Sequence, residues 1–141
     1  MPWTPGPREP ASRFRRWYRG VSIGDVVGRG LRAAASMGQL RSALRGLALQ
    51  MQGPGPTLRA LNRFAASASG TELATVAYGE YDPMSGVFVY ACAGHPPPVA
   101  CIGGRAVVLN DGRSPLLAAG YDGPREEGRC VLPPASTLLL Y

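Results

Sequence analysis

The sequence predicts an α+β layered fold. Apolar residues recur at helical spacing over residues 31–68, and after Gly70 the period shortens to that of strands. The strands then follow one another through turn-forming clusters, without the helix-strand alternation of βαβ units.

Val21-Ser22-Ile23 reads as the end of a strand, followed by the glycine-rich turn Gly24-Asp25-Val26-Val27-Gly28-Arg29-Gly30. Residues 31–51 read as a helix: Ala33, Ala34 and Ala35 favour it, and Leu40, Leu44 and Leu47 share one face. Arg32, Arg41 and Arg45 fall on its solvent side. Gly53-Pro54-Gly55-Pro56 ends that helix, and Pro56 suits the first turn of the next. This second helix, over 56–68, stripes Leu58, Leu61, Phe64 and Ala65 as core. Residues 73–81 and 87–93 form a hairpin about Asp82-Pro83-Met84-Ser85-Gly86. Gly94-His95-Pro96-Pro97-Pro98 breaks the run, and residues 99–102 pair with 106–109 through Gly103-Gly104. After the Asn110-Asp111-Gly112 turn, 129–132 and 137–141 make a last pair of strands.

The 141 residues suffice for one domain with a real core, and the 45% hydrophobic share is that of a globular chain. No apolar run approaches the ~20 residues that span a bilayer. The opening residues lack the order of a secretory signal, so a cytoplasmic protein with no membrane partner is expected. Cys92, Cys101 and Cys130 are odd in number and widely spaced, which argues against a zinc site and favours small buried hydrophobes in strands. All fifteen basic residues are Arg, and the net charge is +6. Residues 1–63 carry +9 and residues 64–141 carry −3, an asymmetry that suits an acidic or phosphorylated partner on the first half. Nucleic acid is not expected as a partner, since only charge and the aromatics near residues 8–19 favour it. Residues 1–20 are expected to be a disordered or remnant basic segment, with the domain over 21–141.

The glycine turn admits three readings. Gly28-Arg29-Gly30-Leu31-Arg32-Ala33 fits a dinucleotide fingerprint, but Gln50-Met51-Gln52-Gly53-Pro54 stands where a second strand would end in an acid. Asp25 beside the glycines would also repel a pyrophosphate. A carboxylate at a strand end, next to bared carbonyls, suits a hard cation such as Mg²⁺ or Mn²⁺. Asp25 equally suits a helix cap or a turn-stabilising carboxylate, and the residues alone leave these two readings even.

Ile23-Gly24-Asp25-Val26-Val27-Gly28-Arg29-Gly30-Leu31-Arg32-Ala33-Ala34, with Met37-Gly38-Gln39-Leu40-Arg41, resembles the bacterial stage II sporulation phosphatase (SpoIIE) class. This class belongs to the protein phosphatase 2C (PPM-type) superfamily. Leu61-Asn62-Arg63, Ala74-Thr75-Val76-Ala77-Tyr78, Tyr90-Ala91-Cys92-Ala93-Gly94-His95-Pro96-Pro97-Pro98, Gly112-Arg113-Ser114-Pro115-Leu116-Leu117 and Leu132-Pro133-Pro134 follow in the expected order. The resemblance implies a β-sandwich flanked by helices and a centre of two Mg²⁺ or Mn²⁺ ions. It implies hydrolysis of a phosphorylated protein substrate, typically an anti-anti-sigma factor. It assigns the catalytic and metal-bridging carboxylate to Asp25 and a backbone metal ligand to Val26. His95, Asp82, Asp111 and Asp122 are expected to serve turns and loops.

The class pattern carries a further acid upstream, where Arg16-Trp17-Tyr18 is similar but holds Arg16 at the acid position. It also carries a Thr-Asp-Gly turn that would begin just past Tyr141. A PPM-type domain incomplete at its N- and C-terminal strands is therefore expected, with impaired activity and with open edges that favour self-association. A catalytically inactive pseudophosphatase, binding a regulatory partner through its Arg-rich half, is the alternative.

Overall fold

The computed structural model describes residues 19–68 and 73–141. The expected basic segment falls outside these residues except for Arg19 and Gly20, which open the first strand. The elements are β1 (Arg19–Val26), α1 (Gly30–Gln50), α2 (Pro54–Ser67), β2 (Ala74–Asp82), β3 (Val87–Ala93), β4 (Val99–Ile102), β5 (Arg105–Val108), β6 (Arg113–Ser114), β7 (Gly128–Val131) and β8 (Thr137–Leu139).

One sheet runs β1-β2-β3, with β6 and β7 both pairing with β3, and the second runs β5-β4-β8. The last two strands therefore do not pair with each other as the sequence suggests. β7 joins β3 in the first sheet, while β8 joins β4 in the second. Pro133 and Pro134 lie in the connection between them, where missing amide hydrogens cost no ladder bonds.

Strand alternation splits the core in two. Val26, Ala74, Val76, Tyr78, Ala91 and Ala93 pack beneath Leu40 and Leu44 of α1 and Leu58, Leu61 and Ala65 of α2. The opposite face of the same sheet sends Ala77, Phe88, Tyr90 and Cys92 against Ala100, Leu109 and Leu132. The layers are helices, sheet, sheet, with both helices on one side. Phe64 departs from the expected stripe and is exposed, because the buried face of α2 runs through Leu58, Leu61, Asn62 and Ala65. Cys101 is exposed on β4, whereas Cys92 is buried, and burial raises its thiol above the ordinary value.

Asn62 shows how α2 holds the long connection after β6. Its Nδ2 donates to the Tyr121 carbonyl at 2.7 Å, and its Oδ1 accepts from the Ala118 N–H at 3.0 Å. Ala118 is held there in the left-handed region, at φ 60°. Asn62→Leu keeps the volume but strands both backbone groups. It should cost about 3 kcal/mol in denaturant unfolding, and a loss within error of zero would show that water replaces both bonds.

Candidate metal site at the end of the first strand

β1 runs further than the sequence suggests, so Asp25 lies within the strand, opposite Thr75. Only Val27, Gly28 and Arg29 separate β1 from α1, and Gly28 turns the chain at φ 116°. Gly24 is required by close approach: a Cβ there would stand 2.7 Å from the Thr75 carbonyl oxygen.

The ladder phase fixes which way the backbone points. The Val27 N–H donates to the Leu73 carbonyl at 2.9 Å. Hydrogen-bonded pairs alternate in an antiparallel ladder, so Val26 is a non-bonded position and its N–H and C=O face away from β2. The Val26 N–H instead donates to Asp25 Oδ1 at 3.0 Å. Asp25 thus tightens its own strand end. It does not cap α1, whose N-cap is Arg29 without a side-chain bond. The Asp25 side chain is exposed, and the outward Val26 carbonyl lies beside it along the strand edge.

Thr75 connects this strand end to His95. Thr75 Oγ1 and His95 Nδ1 are 2.8 Å apart, and His95 Nε2 lies 3.0 Å from the Tyr141 carbonyl. A carbonyl only accepts, so Nε2 carries the hydrogen, and in the neutral ring Nδ1 accepts from Thr75. His95 is buried and ties β2, the proline turn and the segment after β8 together. His95→Phe should lose about 2 kcal/mol of stability while leaving Mn²⁺ affinity unchanged in a titration. Lower affinity at unchanged stability would instead give the ring a part in the site.

The other acids singled out from the sequence stand elsewhere. Asp82 accepts from the Ser85 hydroxyl and the Met84 N–H, bonds that hold its carboxyl below the ordinary range. Asp122 accepts from Arg63 Nε at 3.0 Å and Nη2 at 3.2 Å, a pairing across 59 residues that local sequence patterns do not carry. Arg125 was equally unforeseen. It is buried, donating to Ser114 Oγ and the Pro115 carbonyl at 2.6 Å, and burial lowers its pKa.

Among the described residues no group of three or more His, Cys, Asp or Glu side chains converges as a metal cluster. The donors at the end of β1 are a carboxylate and an outward carbonyl, both hard oxygens. Their chemistry fits Mg²⁺ or Mn²⁺.

The stage II sporulation protein E (SpoIIE) profile matches residues 17–141. Several solved structures share the fold. The RsbU and RsbW domains of a Mycobacterium tuberculosis protein are 34% identical, with a TM-score of 0.76, over 86% of this chain and 34% of that one. The SiaA-PP2C domain of Pseudomonas aeruginosa is 19% identical, with a TM-score of 0.73, over 87% of this chain and 52% of that one. The PP2C phosphatase domain of SpoIIE from Bacillus subtilis, with a fragment of its regulatory domain, is 14% identical with a TM-score of 0.73. That match covers 87% of this chain and 36% of the other. The chain therefore spans between about a third and a half of these relatives.

Proposed function

The chain belongs to the stage II sporulation protein E family, and on that premise we propose that the end of β1 serves metal-dependent hydrolysis of a phosphorylated serine or threonine in a protein. The observation that carries this reading is the pairing of an exposed Asp25 carboxylate with a Val26 carbonyl freed from the ladder. Asp25 and Val26 would hold Mg²⁺ or Mn²⁺. A bound ion would polarise a phosphoryl oxygen and ease deprotonation of water at neutral pH. Asp25 is kept in place by the Val26 N–H, and Gly24 brings β1 close enough to β2 for Thr75 to lie opposite. The PP2C-type fold supports a phosphoprotein substrate, and an anti-anti-sigma factor in a cytoplasmic partner-switching system belongs to the same reading.

The two donors among the described residues would hold such an ion weakly by themselves, and slow turnover is expected of this chain. The test is phosphate release from a phosphoserine protein with Mn²⁺, against the same reaction in chelator. Slow, Mn²⁺-dependent release is expected, and release that persists in chelator would refute the proposal. The absence of a larger acidic cluster among the described residues favours a second reading, a phosphoprotein-binding module without turnover. Its mark would be partner binding that persists without metal and survives Asp25→Ala.

A further inference from the structure

Arg125 is a buried cation that takes no part at the end of β1. It is 5% exposed, and its Nη1 is anchored by Ser114 Oγ and the Pro115 carbonyl. Its Nε and Nη2 are buried and meet no acceptor among the described residues. Buried donors of this kind are nearly always matched. Nε and Nη2 also form one edge of the guanidinium, a fork that takes two oxygens of an anion side by side. Arg63 shows the pattern, holding both Asp122 oxygens through its own Nε and Nη2.

A second guanidinium converges on the same place. Arg59 Nε is also buried without a hydrogen-bond acceptor, and it stands 3.9 Å from Asp122 Oδ1, beyond hydrogen-bond reach. Arg59 lies one turn along α2 from Gly55, where a Cβ would run into the Arg125 carbonyl. The Tyr121 ring lies under the Arg125 guanidinium, 5.6 Å from Cζ to the centroid, and Asn62 of α2 holds the Tyr121 carbonyl. The hydrogen bond from Arg63, with the charges of Arg63, Arg59 and Arg125, holds the Asp122 carboxyl below the ordinary range. Three arginines against this one carboxylate leave a local charge of +2. Glu127 is engaged at the start of α2, where it accepts from the Gly55 N–H at 2.8 Å.

We infer that the Nε–Nη2 edge of Arg125, together with Arg59, binds a phosphate-class oxyanion. A planar carboxylate has only the two oxygens that the Arg125 edge takes, whereas a phosphate brings a third for Arg59. A dianion also matches the charge of +2. The ion comes either as free inorganic phosphate or as a phosphoryl group carried on a protein.

This place is separate from the end of β1. Gly24, Val76, Gly94 and Ser114 lie side by side across the sheet, so Ser114 stands about 14 Å from β1 at three strand spacings. Residues 1–18 lead into β1, and residues 69–72 follow the opposite end of α2 from Gly55. Solvent reaches the cluster, since the Arg59 and Asp122 side chains are 41% and 58% exposed. A cavity of about 410 Å³ has Arg63, Tyr121 and Asp122 among its walls. Uncovering the Arg125 edge needs a shift of Tyr121 and Asp122, which Gly120 and Gly123 flank. The inference goes beyond hydrolysis and needs neither metal nor turnover, so its failure would leave the hydrolytic reading standing.

The test titrates the full chain in chelator with inorganic phosphate by calorimetry, at an ionic strength held constant with chloride. A phosphoserine peptide is titrated in parallel. Saturable binding is expected. Arg125→Lys keeps the charge but has no two-donor edge, and should weaken binding about tenfold. Arg59→Gln alters a partly exposed side chain and should weaken binding while the melting temperature without phosphate stays unchanged, which separates binding from any folding defect of the Arg125 variant. Tighter binding of inorganic phosphate than of the peptide would name the free ion, and the reverse order a protein-borne phosphoryl group. No saturable binding of either, or affinity unchanged in both arginine variants, would overturn the inference. So would affinity lost in Asp25→Asn, since that would place the ion at the end of β1.

Discussion

Gly128→Ala is expected to destabilise the fold by about 3 kcal/mol, or roughly 10 °C in Tm. Gly128 opens β7 opposite Tyr90 of β3, and a Cβ there would enter the Tyr90 ring, standing 2.6 Å from Cε2. The ring has nowhere to go. Tyr90 is 2% exposed and stacks on Phe88, which is fully buried, with centroids 5.6 Å apart. On the other flank Gly79 of β2 lies against the Phe88 ring, so the aromatic pair is walled by glycines of two neighbouring strands. Desolvation of the same pocket pushes the Tyr90 hydroxyl up to about 12. Gly46→Ala is the matched contrast: its Cβ would meet nothing within 4 Å in the middle of α1. That change should stabilise by about 0.5–1 kcal/mol through helix propensity. Thermal melts of the two variants moving in the same direction would defeat this account of the core.

Which features the sequence disclosed follows from the range of the forces involved. Leu40 and Leu44, or Leu58, Leu61 and Ala65, announce a buried helix face through spacing alone, and both helices stand where that spacing puts them. The strand segments were legible for the same reason, and the SpoIIE-like motifs carried their arrangement into two sheets. Pairing after β5 was not legible. Gly128–Val131 and Thr137–Leu139 are adjacent strands whose partners, β3 and β4, are chosen by core packing across 40 or so residues. The site divides in the same way. Asp25 stands out because a carboxylate beside glycines is locally unusual. The outward Val26 carbonyl depends on the phase of a ladder begun at Leu73, which no local pattern encodes.

Asp25→Asn should separate a metal ligand from a structural carboxylate. Among the described residues the side chain accepts a hydrogen bond from the Val26 N–H, and an amide oxygen can accept it equally. The side chain is exposed, so stability should change by no more than about 0.5 kcal/mol. Metal binding is a different matter. The substitution removes the Asp25 charge and leaves a neutral amide and the Val26 carbonyl. Mn²⁺ affinity should fall about tenfold or more, which corresponds to ~1.4 kcal/mol, and any Mn²⁺-dependent phosphate release should fall to background. Asp25→Ala adds the complementary control. It also removes the bond to Val26, so a loss of stability confined to the alanine variant would measure that bond apart from the charge. A drop in melting temperature with Asn at unchanged Mn²⁺ affinity would make Asp25 a turn-stabilising residue. If both quantities were unchanged, the strand end would be an ordinary surface and the hydrolytic reading would lose its anchor.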